Sequence, residues 1–500
     1  MGGEHGAGSW YLCYFLHRLL DYRIPEVESL AKLFGCSGKL QWRQAPNHHP
    51  DSPFYFVRLP SEDMARSIAK RSVLVKAIFE IWGEGSTYEE LRAAVEAFPE
   101  EKKRPYLGTE VTFKIIVDTF GKVISSEEQI KLINSFDFIP FQGRVQLRDP
   151  KEKFWFMETD GRVINNGMPA PLEPSVDGTR LFFGREIGGA DRSLVTKYAL
   201  STRKYLGPTA MDAEIACLMS NQALVDTGKF VYDPFVGTGS ILVAAAHYGA
   251  LTMVKKPIFS PSLLLFRFSY FDLSQGADID LRVIRDGRGP DCNVWSNFKQ
   301  YDLPPPVGLV RADNNARPWR PNLREVFDAI ICDPPYGIRA GGRKSGGRKL
   351  LKGIIDPYII PDDKRKEHIP STAAYILEEC VHDLLDMAAQ LLVTGGRLVF
   401  FYPLSREEGA DNKLPDHPCF QLLSSSEQIL STKYSRCLLT MEKTSEYTDD
   451  LAARAQETHL EFKKNHAKLL DAKDKLRSLV FTPSGEVLQR VIPKYRGKYV

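Results

Sequence analysis

Apolar and polar positions follow two different rhythms along the chain. Over the first 160 residues, short strand-like runs, WYLCYFL (10–16), FYFVRL (54–59) and LVKAIFEIW (74–82), are interleaved with amphipathic helical stretches. These are IPEVESLAKLFG (24–35), SEDMARSIAKRS (61–72) and TYEELRAAVEAF (87–98). That order predicts a small α+β unit. VTFKIIVDTF (111–120), FIPFQGRVQL (138–147) and KFWFMETD (153–160) predict further strands of a second, β-rich unit. NNGMPAPLEPSVDG (165–178), rich in Pro, Gly and Asn, reads as a loop or linker.

Beyond that tract, strands alternate with helices, the pattern of a mainly parallel sheet. KFVYDPF (229–235), VFDAIICD (326–333) and GGRLVFFYPL (395–404) are the strands, and SILVAAAHYGA (240–250) a helix. The stretch 371–392 predicts a long helix with Leu377, Val381, Leu384, Leu385, Ala388, Leu391 and Leu392 on one face. Residues 427–444 predict a closing hairpin, and 447–478 a charged helix with a thin apolar stripe, read as a solvated or packing helix. The expected domains are therefore an N-terminal α+β region (1–165), a linker (166–200), an α/β domain (201–446) and a helical tail (447–500).

Composition narrows the classes. Five hundred residues exceed one core. A net charge of +3 requires any nucleic-acid surface to be a local patch. Eight cysteines without a Cys-x-x-Cys pair argue for reduced thiols, and against a disulfide framework or a zinc site. With no secretory leader pattern, this predicts a cytoplasmic protein, the nucleus remaining open. The longest apolar stretch, near Leu263–Phe268, is short and broken by Arg267, so no membrane partner is expected.

The first chemical candidate is VYDPFVGTGSILVAAA (231–246). A strand ending at Asp233, Pro234 and Phe235 turns through Gly237, Thr238 and Gly239 into a helix, which brings backbone N–H groups close to a ligand. The dinucleotide fingerprint would need a third glycine where Leu242 stands, and an acid at the strand tip repels a pyrophosphate. The same acid suits a cationic ligand such as an amino acid's ammonium group. Taken alone the turn is weak evidence.

A ribose-binding acid belongs about 20 residues further on. Asp278, in GADID, lies 39 residues beyond Gly239, but removing the 22 residues Val254–Gln275 would leave 17. That segment is dominated by Phe, Ser, Leu and Pro, and reads as a translated, retained intron; a surface insertion is the alternative. Asp313, in VRADNN, follows another apolar run and stands where such sheets meet an adenine amino group, or where a polar residue caps a loop.

DAIICDPPYGIR (328–339) carries the strongest signal. Proline cannot donate to a ladder, so the strand stops at Asp333, and Pro334 and Pro335 hold the following backbone extended. The corner presents two acceptors, the Asp333 carboxylate and the Pro334 carbonyl, to an amino group. Tyr336 adds a face on which a base stacks, worth about 1–3 kcal/mol. Strands ending at Asp233 and Asp333 are expected side by side.

DPFVGTGS and DPPYG resemble the two signature motifs of S-adenosylmethionine-dependent amino methyltransferases with a Rossmann-like sheet. With GADID, RADNN and RKYLGPTAMDAEIACLMSN (203–221), the chain is similar to the catalytic subunits of eukaryotic tRNA guanine-10 N2-methyltransferases, over nearly its whole length apart from Val254–Gln275. The resemblance implies S-adenosylmethionine as cofactor, Thr209 at its methionine end, and an N-terminal ferredoxin-like plus THUMP RNA-binding region. It also implies tRNA as substrate and a small zinc-binding activator subunit as partner.

The basic stretch 338–353, with Arg339, Arg343, Lys344, Arg348 and Lys349 among glycines, is a candidate phosphate-gripping loop beside the corner, or a solvated loop. Two other functions stay open at this point. One is an adenine N6-methyltransferase, since the corner suits either aromatic amine; the other is a non-catalytic RNA-binding form.

Overall fold

The computed structural model describes residues 8–45, 51–120, 123–159, 179–207, 210–251, 276–278, 287–315, 319–320, 322–336, 342–345, 372–407 and 412–466. These fall into two compact units, one made of the first 199 residues with Ala213–Leu224, the other of Leu200–Asp212 with the chain from Val225 onward.

The first unit is built on one seven-stranded sheet. Its strands are β1 (Ser9–Phe15), β2 (Trp42–Arg43), β3 (Phe54–Leu59), β4 (Val75–Gly85), β5 (Phe113–Phe120), β6 (Glu152–Thr159) and β7 (Arg180–Gly189). They lie in the order β2-β3-β1-β4-β7-β6-β5, all neighbours antiparallel except β5 and β6. The two predicted units thus share a single sheet, joined where β4 pairs with β7. An aromatic core of Trp82, Phe113, Phe136, Phe154, Phe156 and Phe183 fills its second half.

Two local expectations are corrected, and one element is added. Residues 180–189, assigned to the linker, form β7, which lies between β4 and β6 inside the sheet. Its Arg185 is buried against Glu62, Glu80 and Glu152, which compensate its charge there. Residues 138–147 are not a strand. Gly143 lies so close to the Val111 carbonyl that a Cβ could not fit, and only a single bridge, Phe113 to Val145, forms there. A helix at Ser126–Asn134 went unread although its capping box, Ser125 with Glu128, is explicit in the sequence.

The helix Ala213–Gln222 is buried at every residue and packs with the first unit. Asn221 donates to buried Glu26 at 2.8 Å, and Glu26 also accepts from Ser72 Oγ and the Val73 and Leu74 amides.

The second unit contains β8 (Val231–Tyr232), β9 (Gly276–Asp278), β10 (Leu309–Arg311), β11 (Phe327–Cys332), β12 (Arg343–Ser345) and β13 (Thr372–Ala374). β14 (Leu392–Ser405), β15 (Phe420–Ile429) and β16 (Tyr434–Lys443) complete it. Five strands form one sheet in the order β15-β16-β14-β11-β8. β8, β11 and β14 run parallel, and β16 and β15 close the sheet as the antiparallel hairpin expected from the sequence. The helix Leu377–Leu391 buries Val381, Leu384, Leu385, Ala388 and Leu391 against it. That helix starts later than its periodicity suggested, because Thr372–Ala374 pairs with β12 instead.

β9 and β10 form a separate parallel pair, with Asp278 opposite Arg311. Among the described residues no strand pairing joins β8 to β9; the interval between them contains Val254–Gln275, which lies outside the described residues. The charged helix spans Asp449–His466 and packs on Leu377–Leu391, where buried His459 stacks on His382.

Candidate active site

β8 and β11 are direct neighbours, Ala329 opposite Val231 and Ile330 opposite Tyr232. Asp233 and Asp333 therefore leave the same, carboxyl-terminal edge of two adjacent parallel strands, where open α/β sheets bind ligands. Both carboxylates act on Cys332, whose thiol is pushed well above its ordinary value, by burial first and by Asp233 next.

Asp233 is buried, and its Oδ1 accepts the Phe235 amide at 2.9 Å, which turns the chain into the glycine loop. Gly237 and Gly239 have φ of +50° and +79°, a region that other residues enter only with strain. At Gly239 a Cβ would stand 2.9 Å from Val294 Cγ1, so this glycine lets the helix Val294–Gln300 close against the turn. The helix Ser240–His247 follows directly, and Thr238 Oγ1 is buried with no hydrogen-bond partner.

The helix Val294–Gln300 contributes residues that sequence reasoning missed. Asn297, fully buried, accepts from the Tyr205 amide at 2.9 Å, and its Nδ2 donates to the carbonyls of Tyr205 and Thr238. Gln300 adds bonds to the Lys204 amide and the Thr202 carbonyl, while Arg203 donates to Ser240 Oγ beneath the loop. The segment before Pro208 is thereby fastened to the glycine turn, with Gly207 beside the Thr238 methyl. Thr209 lies outside the described residues. An N-terminal cap, Asn293 with Ser296, is the one sequence signal that marks this helix.

At the second tip, Pro334 is buried and Asp333 and Tyr336 half-buried. Asp333 Oδ2 faces Arg436 Nη1 at 3.5 Å, whereas Oδ1 is buried and unpartnered, as is Tyr336 Oη. Burial lifts the Asp333 carboxyl from the ordinary 3.8 to about 6, with Arg436 pulling the other way. An unpartnered buried acceptor costs free energy unless a ligand supplies a donor.

Asp313 is buried, and its Oδ1 accepts the Asn315 amide at 3.0 Å, so it caps the loop after β10. Asn315 also reaches Asp383, which accepts the Tyr375 hydroxyl at 2.6 Å. Asp278 ends β9, in the pair set apart from the main sheet.

Of the candidate RNA contacts, Arg343 is exposed on β12. Lys344 departs from expectation: its Nζ lies 2.6 Å from the buried Glu379 carboxylate, which ties it to the helix Leu377–Leu391 rather than to solvent. Arg339, Arg348 and Lys349 fall outside the described residues.

Among the described residues one set of possible metal ligands converges, His382, Asp383 and His459, with atoms within 4.8 Å of one another. The two imidazoles stack at 3.6 Å and 4°, so their in-plane lone pairs run parallel and do not meet at a point. The stack joins the C-terminal helix to its neighbour, a packing role.

An acidic glycine turn beside an Asp-Pro-Pro-Tyr tip on a sheet closed by an antiparallel hairpin defines a Rossmann-like methyltransferase. Residues 201–356 match the family described as RMKL-like, methyltransferase domain, and residues 9–192 match the Tmrp11 THUMP N-terminal domain. The chain is 37% identical over 440 residues to the tRNA (guanine(10)-N(2))-methyltransferase TRMT11 of Xenopus laevis, covering 88% of this chain and 85% of that protein. Identity to the Mus musculus protein of that name is 36% over 454 residues (88% and 90%), and to that of Dictyostelium discoideum 34% over 456 (88% and 83%). The chain belongs to the TRMT11 family of tRNA (guanine(10)-N(2))-methyltransferases.

Proposed function

We propose that this chain transfers the methyl group of S-adenosylmethionine to the exocyclic N2 amine of a guanosine in tRNA, position 10 by family. One observation carries the reading: a buried, unpartnered acceptor, Asp333 Oδ1, at the tip of β11 beside the Asp233 tip of β8. When bound, S-adenosylmethionine supplies a methyl group on a cationic sulfur, an electrophile that needs no metal or covalent intermediate.

The chain's own residues do the positioning. Gly237, Thr238 and Gly239 let the cofactor approach the backbone, with Asp233, Pro234 and Phe235 at its amino-acid end and Asp278 and Asp313 toward ribose and adenine; the family resemblance adds Thr209 at the methionine end. The unpartnered Thr238 Oγ1 fits this role. Asp333 Oδ1 and the Pro334 carbonyl accept the two N–H donors of the amine, so the nitrogen lone pair is left pointing at the electrophile. Pro335 keeps the corner stiff, and Tyr336 stacks the base. As the N–C bond formed, the methyl–sulfur bond would break to leave a neutral thioether, and Asp333 Oδ1 would be placed to receive the surplus proton of the nitrogen.

Extruding a guanine from its stack costs a few kcal/mol. Phosphate contacts from the basic stretch 338–353, including exposed Arg343, would offset that. Such binding weakens steeply with salt. The resemblance adds a small zinc-binding activator subunit as partner, which co-expression tests through a rise in soluble yield and turnover.

The decisive experiment is labelled-methyl transfer to unmodified tRNA followed by nucleoside analysis. N2-methylguanosine is the expected product. N6-methyladenosine would replace the base assignment, and tRNA binding without transfer would make the chain a non-catalytic binder. Asp333→Ala should abolish transfer and leave tRNA binding intact.

A further inference from the structure

We propose that Arg436 is a positioning residue for methyl transfer, holding one oxygen of Asp333 so that the other is presented to the incoming amine. The inference rests on the methyl-transfer reading of the corner and adds a residue to it that no motif contains. Arg436 lies on β16, two strands away from β11, yet its Nη1 is 3.5 Å from Asp333 Oδ2. Its place is set by regular sheet geometry. Gln428 on β15 stands directly opposite and accepts from Arg436 Nε at 2.8 Å. On the other side the guanidinium lies 3.8 Å over the ring of Phe401, the diagonal cross-strand neighbour on β14. With contacts to β15, to β14 and to the residue just beyond β11, the guanidinium has little freedom.

The consequence falls on Asp333. Its two oxygens are made unequal: Oδ2 is engaged by a cation, and Oδ1 is buried with nothing to bond. A carboxylate free to rotate about its last torsion would offer either oxygen in many directions; this one offers a single acceptor in a fixed direction. Arg436 also favours the ionised carboxylate, the better acceptor, in a place where burial works against it. Among the described residues, the other ionisable groups at the tip are Asp233 on the neighbouring strand, the Cys332 thiol and the Tyr336 hydroxyl, none of them a cation.

The test compares wild type, Arg436→Met and Arg436→Lys by the pH dependence of kcat/KM for tRNA, and by melting temperature across the same pH range with Asp333→Asn as reference. The acidic limb of the wild-type rate should lie near 6. Arg436→Met should move it alkaline by roughly one unit or more, because an opposite charge at this range lowers a carboxyl by about 1–3 units. Arg436→Lys, keeping charge but not the stacked plane, should move it less and still lower kcat, and it serves alone if the Met variant does not fold. A rate depressed evenly at all pH values, with the limb unmoved, would overturn the proposal. If wild type makes no methylguanosine, the substrate reading fails separately. The melting curves still decide whether Arg436 holds Asp333: a shifted window relative to Asp333→Asn supports it, and an unshifted one refutes it.

Discussion

Asn297 Nδ2 donates to the Thr238 carbonyl at 3.1 Å while the same carboxamide binds both the amide and the carbonyl of Tyr205. One side chain thus sets the spacing between the Tyr205 segment and the glycine turn, the two backbone segments proposed to flank the cofactor. Asn297→Ala strands several buried polar groups, and a loss of about 1–3 kcal/mol in stability is expected. The KM for S-adenosylmethionine should rise more than kcat falls. Urea denaturation and steady-state kinetics check the two parts.

The two loop glycines differ in what surrounds them. Gly237→Ala meets nothing closer than the Phe235 carbonyl at 3.9 Å, so its cost is the left-handed backbone, about 1–2 kcal/mol. Gly239→Ala adds a 2.9 Å collision with Val294 and should be the more destabilising and the weaker cofactor binder. Calorimetric titration and thermal melts rank them; the reverse order would contradict the packing described.

Asp333 links activity and stability to pH with opposite signs. Its carboxyl is raised from 3.8 to about 6, so the protonated form is the one the fold favours. Its contribution to stability is therefore fully present below the ordinary value and lost as the pH rises through about 6. In the proposed mechanism transfer uses the ionised acceptor, so kcat/KM should climb over that same interval and level off above it. Relative to wild type, Asp333→Asn should lack the stability slope and the activity together.

Deleting Val254–Gln275 joins Met253 to Gly276, and allows β9 to continue the sheet beside β8. The shortened form should be more soluble, melt higher and turn over faster. Equal melting temperature and turnover would show that the segment is harmless.

What was legible in the sequence was local chemistry. Proline and glycine act on their own backbone, so the Asp333 corner and the Gly237–Gly239 turn could be read directly, and so could the adjacency of their strands. Asn297, Arg203 and Arg436 were not legible, because each works through partners far along the chain that only pairing of the strands or packing of the helix brings close. Arg185 shows the same limit in the first unit: the three carboxylates that surround it come from Glu62, Glu80 and Glu152, far along the chain, so nothing local to 180–189 marked that stretch as an inner strand. Lys344 errs the other way, a basic residue read as available whose partner is Glu379.

The short antiparallel pair β12–β13 has its own consequence. Tyr375 donates its amide to the Gly342 carbonyl at 2.9 Å, and Gly342 sits so near Tyr375 and Pro335 that no side chain fits there. The clasp sits between the Asp333 corner and the sequence that joins β12 to β13. Changes of length or charge between 346 and 371 can therefore accumulate without disturbing the pairing that borders Asp333, so the two stretches are free to evolve at separate tempos in the same molecule.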